Sequence, residues 1–245
     1  MASVRLPGKP LLEIKGLPMI EHVRRRALLN SKKIEVIVIS GDEEIIEVVR
    51  NNKGIYIKTF KEHLNGLSRA NEVAENLDWT HIIVLQGDEI LILPEYLDLL
   101  IDKITESPEV EFWNLVTNLE SIDEISNHSI VKCTLQTDSR IQTIFRESPL
   151  ICELSTQQAL IRKITGIFAL KKTTLSKIAN FIPTPIEIAE SIEQMRVLEM
   201  GSSISTIEVL ENFPSINTVD DIELVLQTIK LHKIQNQLTK LIGAL

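Results

Sequence analysis

Cysteine is scarce in this 245-residue chain, which contains Cys133 and Cys152 and no others. Two cysteines are too few for a disulfide framework and match no metal-ligand spacing, so both are expected to be reduced thiols of the core. The five histidines are scattered and form no metal-binding cluster. No Ser-His-Asp or Cys-His pairing follows from the spacing, so the sequence gives no sign of a triad-type catalytic site.

Long apolar runs and a basic excess are also missing. No hydrophobic stretch approaches the ~20 residues of a membrane-spanning helix, and no secretory signal opens the chain, so we expect a cytoplasmic protein. Lys and Arg number 26 against 34 Asp and Glu, a net charge of −8. Binding to a nucleic-acid backbone needs a basic field, so nucleic acid is not expected as the main partner. A small anionic ligand is compatible with this charge, because a few local cations suffice.

The order of strands and helices predicts an α/β fold. With 44% hydrophobic residues, the chain can build one large α/β domain, or one domain with a smaller lobe. Strand and helix patterns alternate down to about Glu106, as in a doubly wound sheet. The strand at His81–Leu85 is almost wholly apolar and runs directly into Gln86-Gly87-Asp88-Glu89. Ligands of such sheets bind at the carboxyl ends of the strands, so Asp88 is a candidate site residue.

Several other elements can be read from periodicity. The predicted helices are Met19 to about Asn30, Glu43 to about Asn51, a helix ending near Leu77, and a closing amphipathic helix from about Val219 to Gly243. The predicted strands are Ile34–Ser40, Ile55–Lys58, Phe112–Thr117, Ser129–Leu135, Ile141–Phe145, Gly166–Leu170 and Ser203–Leu210.

Thr184-Pro185-Ile186-Glu187 is a strong helix start, with a Thr cap, Pro at the first position and Glu three residues after the cap. We expect this helix to run to about Met200. A helical wheel places its apolar and polar residues on two separate faces. The apolar face carries Ile188, Ile192 and Met195, and the polar face carries Glu187, Glu190 and Gln194. Such a polar face is ordinarily solvated.

Two cations flank a Pro-Gly pair near the start of the chain. Arg5 and Lys9 stand four residues apart around Pro7-Gly8, a pair that can hold a tight turn and aim both cations at one anion. A polar loop without a ligand is the alternative. The segment is not a P-loop, because Lys9 follows a single glycine and precedes Pro10.

Together these features suit a nucleoside triphosphate with magnesium. Mg²⁺ prefers one or two carboxylates together with phosphate oxygens, and Asp88 could supply one. Arg5 and Lys9 could neutralise the triphosphate and stabilise departing pyrophosphate. Asn65-Gly66 leads into a helix whose free N–H groups would allow close approach of a ligand.

Four motifs, in order and at matching spacing, resemble the CMP-Kdo synthetases (3-deoxy-manno-octulosonate cytidylyltransferases) across nearly the whole chain. They are Arg5-Leu6-Pro7-Gly8-Lys9-Pro10-Leu11 with Gly16-x-Pro18-Met19-Ile20-x-His22-Val23, then His63-x-x-Gly66-x-x-Arg69, Gln86-Gly87-Asp88-Glu89, and Glu190-x-x-Glu193-Gln194-x-Arg196.

The resemblance implies a homodimeric enzyme with a mostly parallel mixed sheet that joins CTP to an acidic sugar, with Mg²⁺, for surface polysaccharide synthesis. It implies one domain, with a nucleotide-binding part at residues 1–118 and 200–245 and a sugar-binding and dimerisation lobe at 119–199. By motif position, Arg5 and Lys9 would contact the phosphates and Asp88 the metal. The other implied roles are nucleotide binding by Asn65, Gly66, Arg69 and Gln86, and sugar binding by Arg146, Glu190 and Gln194.

The sequence departs from the family in sensitive places. The second metal carboxylate of the family is replaced by Asn217, which could ligate more weakly through its amide oxygen or serve as a helix N-cap. A family His is Ile164 here, and a family Tyr is Phe168, so hydrogen-bonding groups are lost at the sugar end. These changes leave two rivals open, which are a sister enzyme for another acidic sugar and a non-catalytic homologue.

The beginning of the sequence also differs from the family. There the phosphate loop follows an interior strand of the type Ile-Pro-Ala-Arg, which has no counterpart after Met1. Loss of an interior strand would leave ladder hydrogen bonds unmade in a buried place, so we expect the natural chain to start about a dozen residues upstream.

Overall fold

The computed structural model describes residues 6, 8–63, 65–74, 77–211 and 213–245. Their strands and helices form an α/β structure with a mixed sheet, which confirms the predicted fold class. The strands are β1 Glu13–Ile14, β2 Leu17–Pro18, β3 Ile37–Ser40, β4 Ile55–Lys58, β5 His81–Leu85, β6 Phe112–Asn118, β7 Lys132–Leu135, β8 Ile141–Phe145, β9 Ile161–Lys171 and β10 Ser205–Glu208. The helices are α1 Met19–Leu28, α2 Glu43–Asn51, α3 Gly66–Ala74, α4 Pro94–Glu106, α5 Leu154–Leu160, α6 Lys172–Asn180, α7 Pro185–Glu190, α8 Gln194–Glu199, α9 Asp220–Leu231 and α10 Lys233–Gly243.

The chain packs into two compact units. Unit 1 comprises Met1–Leu64, Leu85–Lys103 and Phe213–Leu245, and unit 2 comprises Asn65–Val84 and Ile104–Asn212. Packing does not show what either unit binds, so the division into a nucleotide-binding part and a sugar-binding lobe stays a prediction. The expected upstream strand lies outside the sequence and stays a prediction too.

Unit 1 contains a parallel strand pair with its crossover helix. Strand β3 pairs with β4 in register from Ile37 opposite Ile55, and α2 connects them. Val38 of β3 and Val49 of α2 are buried in the same apolar cluster. The predicted bounds of α2 and β4 are confirmed. They were predictable because β-branched strands that alternate with an amphipathic helix leave few alternative pairings.

The predicted closing helix is wrong as one continuous element. It breaks at His232, whose backbone is extended (ψ 119°), into α9 and α10. The break allows α10 to pack against α1. There Gln235 is fully buried and accepts a hydrogen bond of 2.6 Å from Arg26. Tertiary packing thus overrides the local helical pattern at His232.

Unit 2 is built on a six-stranded mixed sheet. The order is β10-β6-β9-β7-β8, and β5 also pairs with β9. Strands β10 and β6 are parallel, whereas β9 runs antiparallel to both β6 and β7. Strand β9 is longer than predicted and contains a bulge opposite Leu115. Phe112 and Phe168 stack at 5.4 Å between ring centroids in the core of this unit.

The predicted helix from Pro185 to Met200 is also wrong as one element. Its capping box is present, since Thr184 and Glu187 each accept the other's backbone N–H. The helix then ends at Ser191, which has left-handed backbone angles (φ 54°, ψ 48°). The predicted faces do not hold, because Ile188 of the predicted apolar face is 65% exposed, whereas Gln194 of the predicted polar face is 5% exposed.

Two smaller predictions were tested as well. Cys133 is a buried thiol as expected, but Cys152 is exposed, so the prediction that both belong to the core is wrong. Cys152 lies in the irregular segment before α5. Among the described residues, no helix is both long and apolar enough to cross a membrane.

Candidate active site

In unit 1 the structure brings together two of the predicted site residues. Gly8, in the left-handed region (φ 74°), precedes a short 3₁₀ helix over Lys9–Leu11. Asp88 lies in the turn that follows β5. Lys9 Nζ is 2.9 Å from Asp88 Oδ2, and both side chains are mostly buried. A cation and a carboxylate that are 79 positions apart in sequence are thus placed at one strand end.

Two more predicted residues flank this pair in sequence. Gln86 is exposed and opens the turn, where its carbonyl accepts the Glu89 N–H at 3.2 Å. Its side chain is therefore accessible to a ligand. Arg5 lies outside the described residues.

Asn217 lies beside the same turn. The N–H of Ile216 donates to the Asp88 carbonyl at 3.4 Å, which fixes the segment next to the carboxylate. The alternative role of Asn217 as a helix N-cap is wrong, because α9 has Val219 at that position and no side-chain cap. Instead Asp221 Oδ2 accepts the N–H groups of Asn217 and Thr218, both at 2.7 Å.

The residues of this turn suit magnesium. Asp88 offers a carboxylate and Asn217 an amide oxygen, and Mg²⁺ favours such hard oxygen ligands. Within the described ranges, no group of three or more His, Cys, Asp or Glu side chains could hold a metal on its own. Few protein ligands are typical of Mg²⁺ that is shared with substrate phosphates.

In unit 2 the loop at the start of α3 is tightly organised. Asn65 Oδ1 accepts the Ser68 N–H at 3.0 Å, so Asn65 caps the helix. Glu193 accepts the N–H of Leu67 at 3.2 Å, and the N–H of Gly66 also bonds to it. The N–H groups expected to meet a ligand are therefore already engaged by a carboxylate of the same unit. The prediction that they are free is wrong.

The Glu193 carboxyl is perturbed by this position. Burial is the main influence and raises its pKa to about 7, and the nearby negative charge of Glu187 raises it further. The N–H groups of Leu67 and Gly66 and the positive charge of Arg196 lower the pKa, but by less than burial raises it. Sequence reasoning included Glu193 in a motif but gave it no role. Only the break at Ser191, which sequence did not predict, aims this side chain at α3.

A buried ion pair braces the same loop. Arg196 donates to both carboxylate oxygens of Glu187, through Nε at 2.6 Å and through Nη2. Asn65 Nδ2 donates to Glu187 at 3.3 Å. Both Arg196 and Glu187 are almost fully buried. The loop is thus tied to α7 and, through Arg196, to α8.

Arg69 on α3 is the cation of this loop. Its Nε is buried and has no hydrogen-bond partner among the described residues. Leaving a buried donor unpaired is costly unless a ligand supplies an acceptor. This is consistent with the predicted contact to the nucleotide.

Two of the three predicted sugar residues, Arg146 and Glu190, are linked through the backbone. Arg146 donates to the carbonyls of Glu190 at 2.7 Å, His128 at 2.7 Å and Ser191 at 3.4 Å. Gln194 is buried and donates to Asn114 Oδ1 at 3.4 Å. Arg146 and Gln194 therefore already have protein partners, and the contacts of Arg146 fix the shape of the segment around Ser191.

Comparison with known proteins identifies the family. A family model described as Cytidylyltransferase matches residues 1–204. A 3-deoxy-manno-octulosonate cytidylyltransferase of Geotalea daltonii is 33% identical over 240 residues, which cover 94% of each chain. The chain belongs to this family. The family resemblance predicted from the four motifs is confirmed.

Two further comparisons agree. A 3-deoxy-manno-octulosonate cytidylyltransferase of Fusobacterium nucleatum is 34% identical over 235 residues, covering 96% of this chain and 95% of the relative. A solved CMP:2-keto-3-deoxy-manno-octonic acid synthetase in complex with CTP is 32% identical, with a TM-score of 0.84, and 92% of this chain and 93% of that chain are covered.

Two residues that depart from the family pattern, Ile164 and Phe168, lie in or against the apolar core of unit 2. Phe168, where the cytidylyltransferases of this type have Tyr, is fully buried on Phe112. Ile164 is partly buried against the same apolar core. Between them, Thr165 donates through Oγ1 to the Leu115 carbonyl at 3.0 Å, within the β6–β9 bulge. Both positions are therefore part of the apolar core of unit 2 in this chain.

Proposed function

We propose that this protein transfers the cytidylyl group of CTP to 3-deoxy-manno-octulosonate (Kdo), with release of pyrophosphate, for surface polysaccharide synthesis. The observation that carries the proposal is the Lys9–Asp88 pair at a strand end, in a chain that belongs to the family. A phosphate-binding cation and a metal-binding carboxylate are the two groups that this transfer needs in one place.

The reaction is a displacement at phosphorus. The anomeric hydroxyl oxygen of the sugar bonds to the α-phosphorus of CTP, and the bond to the bridging oxygen of the β-phosphate breaks. Pyrophosphate leaves with the electron pair, and the hydroxyl proton passes to solvent. Lys9, with Arg5 as a second predicted cation, neutralises the charge that grows on the departing phosphates.

Asp88 and Asn217 would hold Mg²⁺. When bound, this ion would stabilise the negative charge of the phosphates in the transition state. With Asn217 in place of a carboxylate, the protein ligands contribute one negative charge fewer. We expect a correspondingly weaker site, filled at higher Mg²⁺ concentration.

In unit 2, we propose that Asn65, Gly66 and Arg69 bind the nucleotide. The unpaired Nε of Arg69 supports this, because an anion would satisfy it. The nucleotide role of Gln86, which belongs to unit 1, stays a prediction. Glu190, whose carbonyl is held by Arg146, would present its side chain to the sugar with Gln194 and Arg146.

A homodimer is part of the proposal. Four apolar side chains of the segment before and within α7 are exposed to between 41% and 81%: Phe181, Ile182, Ile186 and Ile188. A second copy of the chain would cover such a surface. Light scattering should give twice the chain mass of 27.7 kDa. The cytoplasmic location stays a prediction, which cell fractionation would test.

The test is pyrophosphate release from CTP with Mg²⁺ and Kdo, with reactions lacking the sugar or containing a chelator as controls. We expect release that requires both the sugar and the metal. If no acidic octulosonate or nonulosonate supports turnover, the enzymatic proposal is wrong and the non-catalytic rival is favoured.

A second substrate is favoured by one observation. The apolar pair Ile164 and Phe168 removes hydrogen-bonding groups that a hydroxyl-rich sugar would use. An amino-Kdo or a nonulosonate would then be the better acceptor. Comparing kcat/KM over a panel of sugar acids at fixed CTP separates this candidate from Kdo.

A further inference from the structure

Glu193 connects two segments to which the proposed function gives different ligands. It lies between α7 and α8, next to Gln194 of the proposed sugar site. Its carboxylate reaches the first turn of α3, in the proposed nucleotide loop, and Oε2 accepts the Leu67 N–H at 3.2 Å. The Gly66 N–H is its second backbone partner.

The backbone at Ser191 makes this contact. A left-handed residue at the end of α7 turns the chain, and Glu193 then stands at the N-cap position of α8 without capping that helix. Its carboxylate is therefore available for α3. A carboxylate at a helix N-terminus is stabilised by the free N–H groups and by the helix dipole.

The neighbouring groups leave Glu193 little freedom. Oε1 lies 3.9 Å from the position that a Cβ on Gly66 would occupy, so the carboxylate lies directly against this glycine. The charged groups that face it are Glu187 of α7 and Arg196 of α8, and these two are paired with each other. From α3 it meets backbone N–H groups.

We infer that Glu193 is a positioning residue, which fixes the loop Asn65–Arg69 so that its side chains meet the nucleotide. The inference rests on the proposed role of that loop. With its N–H groups taken by Glu193, the loop contacts CTP through the side chains of Asn65 and Arg69 rather than through a free helix end. Glu193 itself touches no reacting atom.

The ionised carboxylate is the form that can accept both N–H groups with its two oxygens. A protonated carboxyl carries an O–H donor on one oxygen, and that oxygen would then face a backbone N–H, which is also a donor. Because burial raises the pKa of Glu193 to about 7, the carboxyl changes form near neutral pH. The loop should be best ordered above this pH and loosened below it.

Glu193→Gln tests the inference, because the amide mimics the protonated form. The matched control is Glu199→Gln, an exposed acid at the end of α8. At about pH 8.5 we expect Glu193→Gln to weaken CTP affinity by about tenfold, the loss of one charge-assisted hydrogen bond, in calorimetry with Mg²⁺ present. The KM for CTP should rise equally, with kcat within about twofold, and the control should match the wild type.

The pH dependence separates positioning from general structural damage. At about pH 6 the wild type should lose CTP affinity and approach Glu193→Gln, so the ratio of their affinities should fall from about ten to about two. Thermal unfolding should confirm that both variants are folded. A ratio that is the same at both pH values, or a loss that falls mainly on kcat, would overturn the inference.

Failure of the inference is distinguishable from failure of the proposed function. If the wild type binds no CTP in calorimetry, the nucleotide role of the loop is wrong and the inference falls with it. If the wild type binds CTP and Glu193→Gln binds it equally well at about pH 8.5, the inference alone is wrong, and turnover with Kdo remains to support the proposed function.

Discussion

The two units hold their proposed site residues in different ways. In unit 1, Lys9 at the start of the 3₁₀ helix is paired with Asp88 in the turn after β5. In unit 2, Arg146 of the proposed sugar site is fixed by backbone carbonyls, and the proposed nucleotide loop is braced by the buried Glu187–Arg196 pair. The first arrangement can open to a ligand at little cost to folding, whereas the second is part of the framework. Substitution of the Lys9–Asp88 pair should therefore affect activity, whereas substitution of the buried Glu187–Arg196 pair should affect stability.

Asp88→Ala should have the largest effect and should act on catalysis alone. Loss of the carboxylate removes the main proposed magnesium ligand, and we expect kcat/KM to fall by about 1,000-fold, a cost near 4 kcal/mol. Because Asp88 is in a turn and its side chain is paired with Lys9 alone among the described residues, the melting temperature should change little. Initial rates over a Mg²⁺ titration and a thermal melt measure both. Substantial turnover at saturating Mg²⁺ would exclude the metal role.

Arg196→Met should show the opposite pattern. It leaves Glu187 buried without its partner, and breaking a buried pair costs about 3 kcal/mol or more. The free energy of unfolding in urea should fall by that amount. The control is Lys32→Met, which removes an exposed ion pair to Asp102 and should change stability little. Equal losses in the two variants would contradict the proposed difference between the units.

Features that follow a local sequence pattern are predicted from the sequence, whereas features imposed by packing are not. Elements with clear periodicity, such as α2 and β4, are correct to the residue. Asp88 could be predicted as a candidate because an apolar strand ends just before it, and the structure pairs it with Lys9. The breaks at Ser191 and His232 were missed, because a left-handed serine and an extended histidine have no pattern of their own and are imposed by packing. Glu193 was missed for that reason, since its role depends on the turn at Ser191.

Asn217→Asp should have the smallest effect, and it tests whether a second carboxylate strengthens the proposed magnesium site of unit 1. The backbone N–H groups of Asn217 and Thr218 are already satisfied by Asp221, so the substitution should leave the fold intact. A second carboxylate beside the Asp88 turn should lower the Mg²⁺ concentration needed for half-maximal rate by about tenfold, worth about 1.4 kcal/mol.

The measurement for Asn217→Asp is the initial rate over a Mg²⁺ titration. The control is Ser215→Ala, which removes the hydrogen-bond partner of the Asn217 amide nitrogen but adds no charge. If charge at the metal is what the chain lacks, Asn217→Asp should gain and Ser215→Ala should not. If both gain equally, freeing the side chain of residue 217 matters more than its charge. If neither gains, Asn217 lies outside the metal site, and Asp88 would be its main protein ligand.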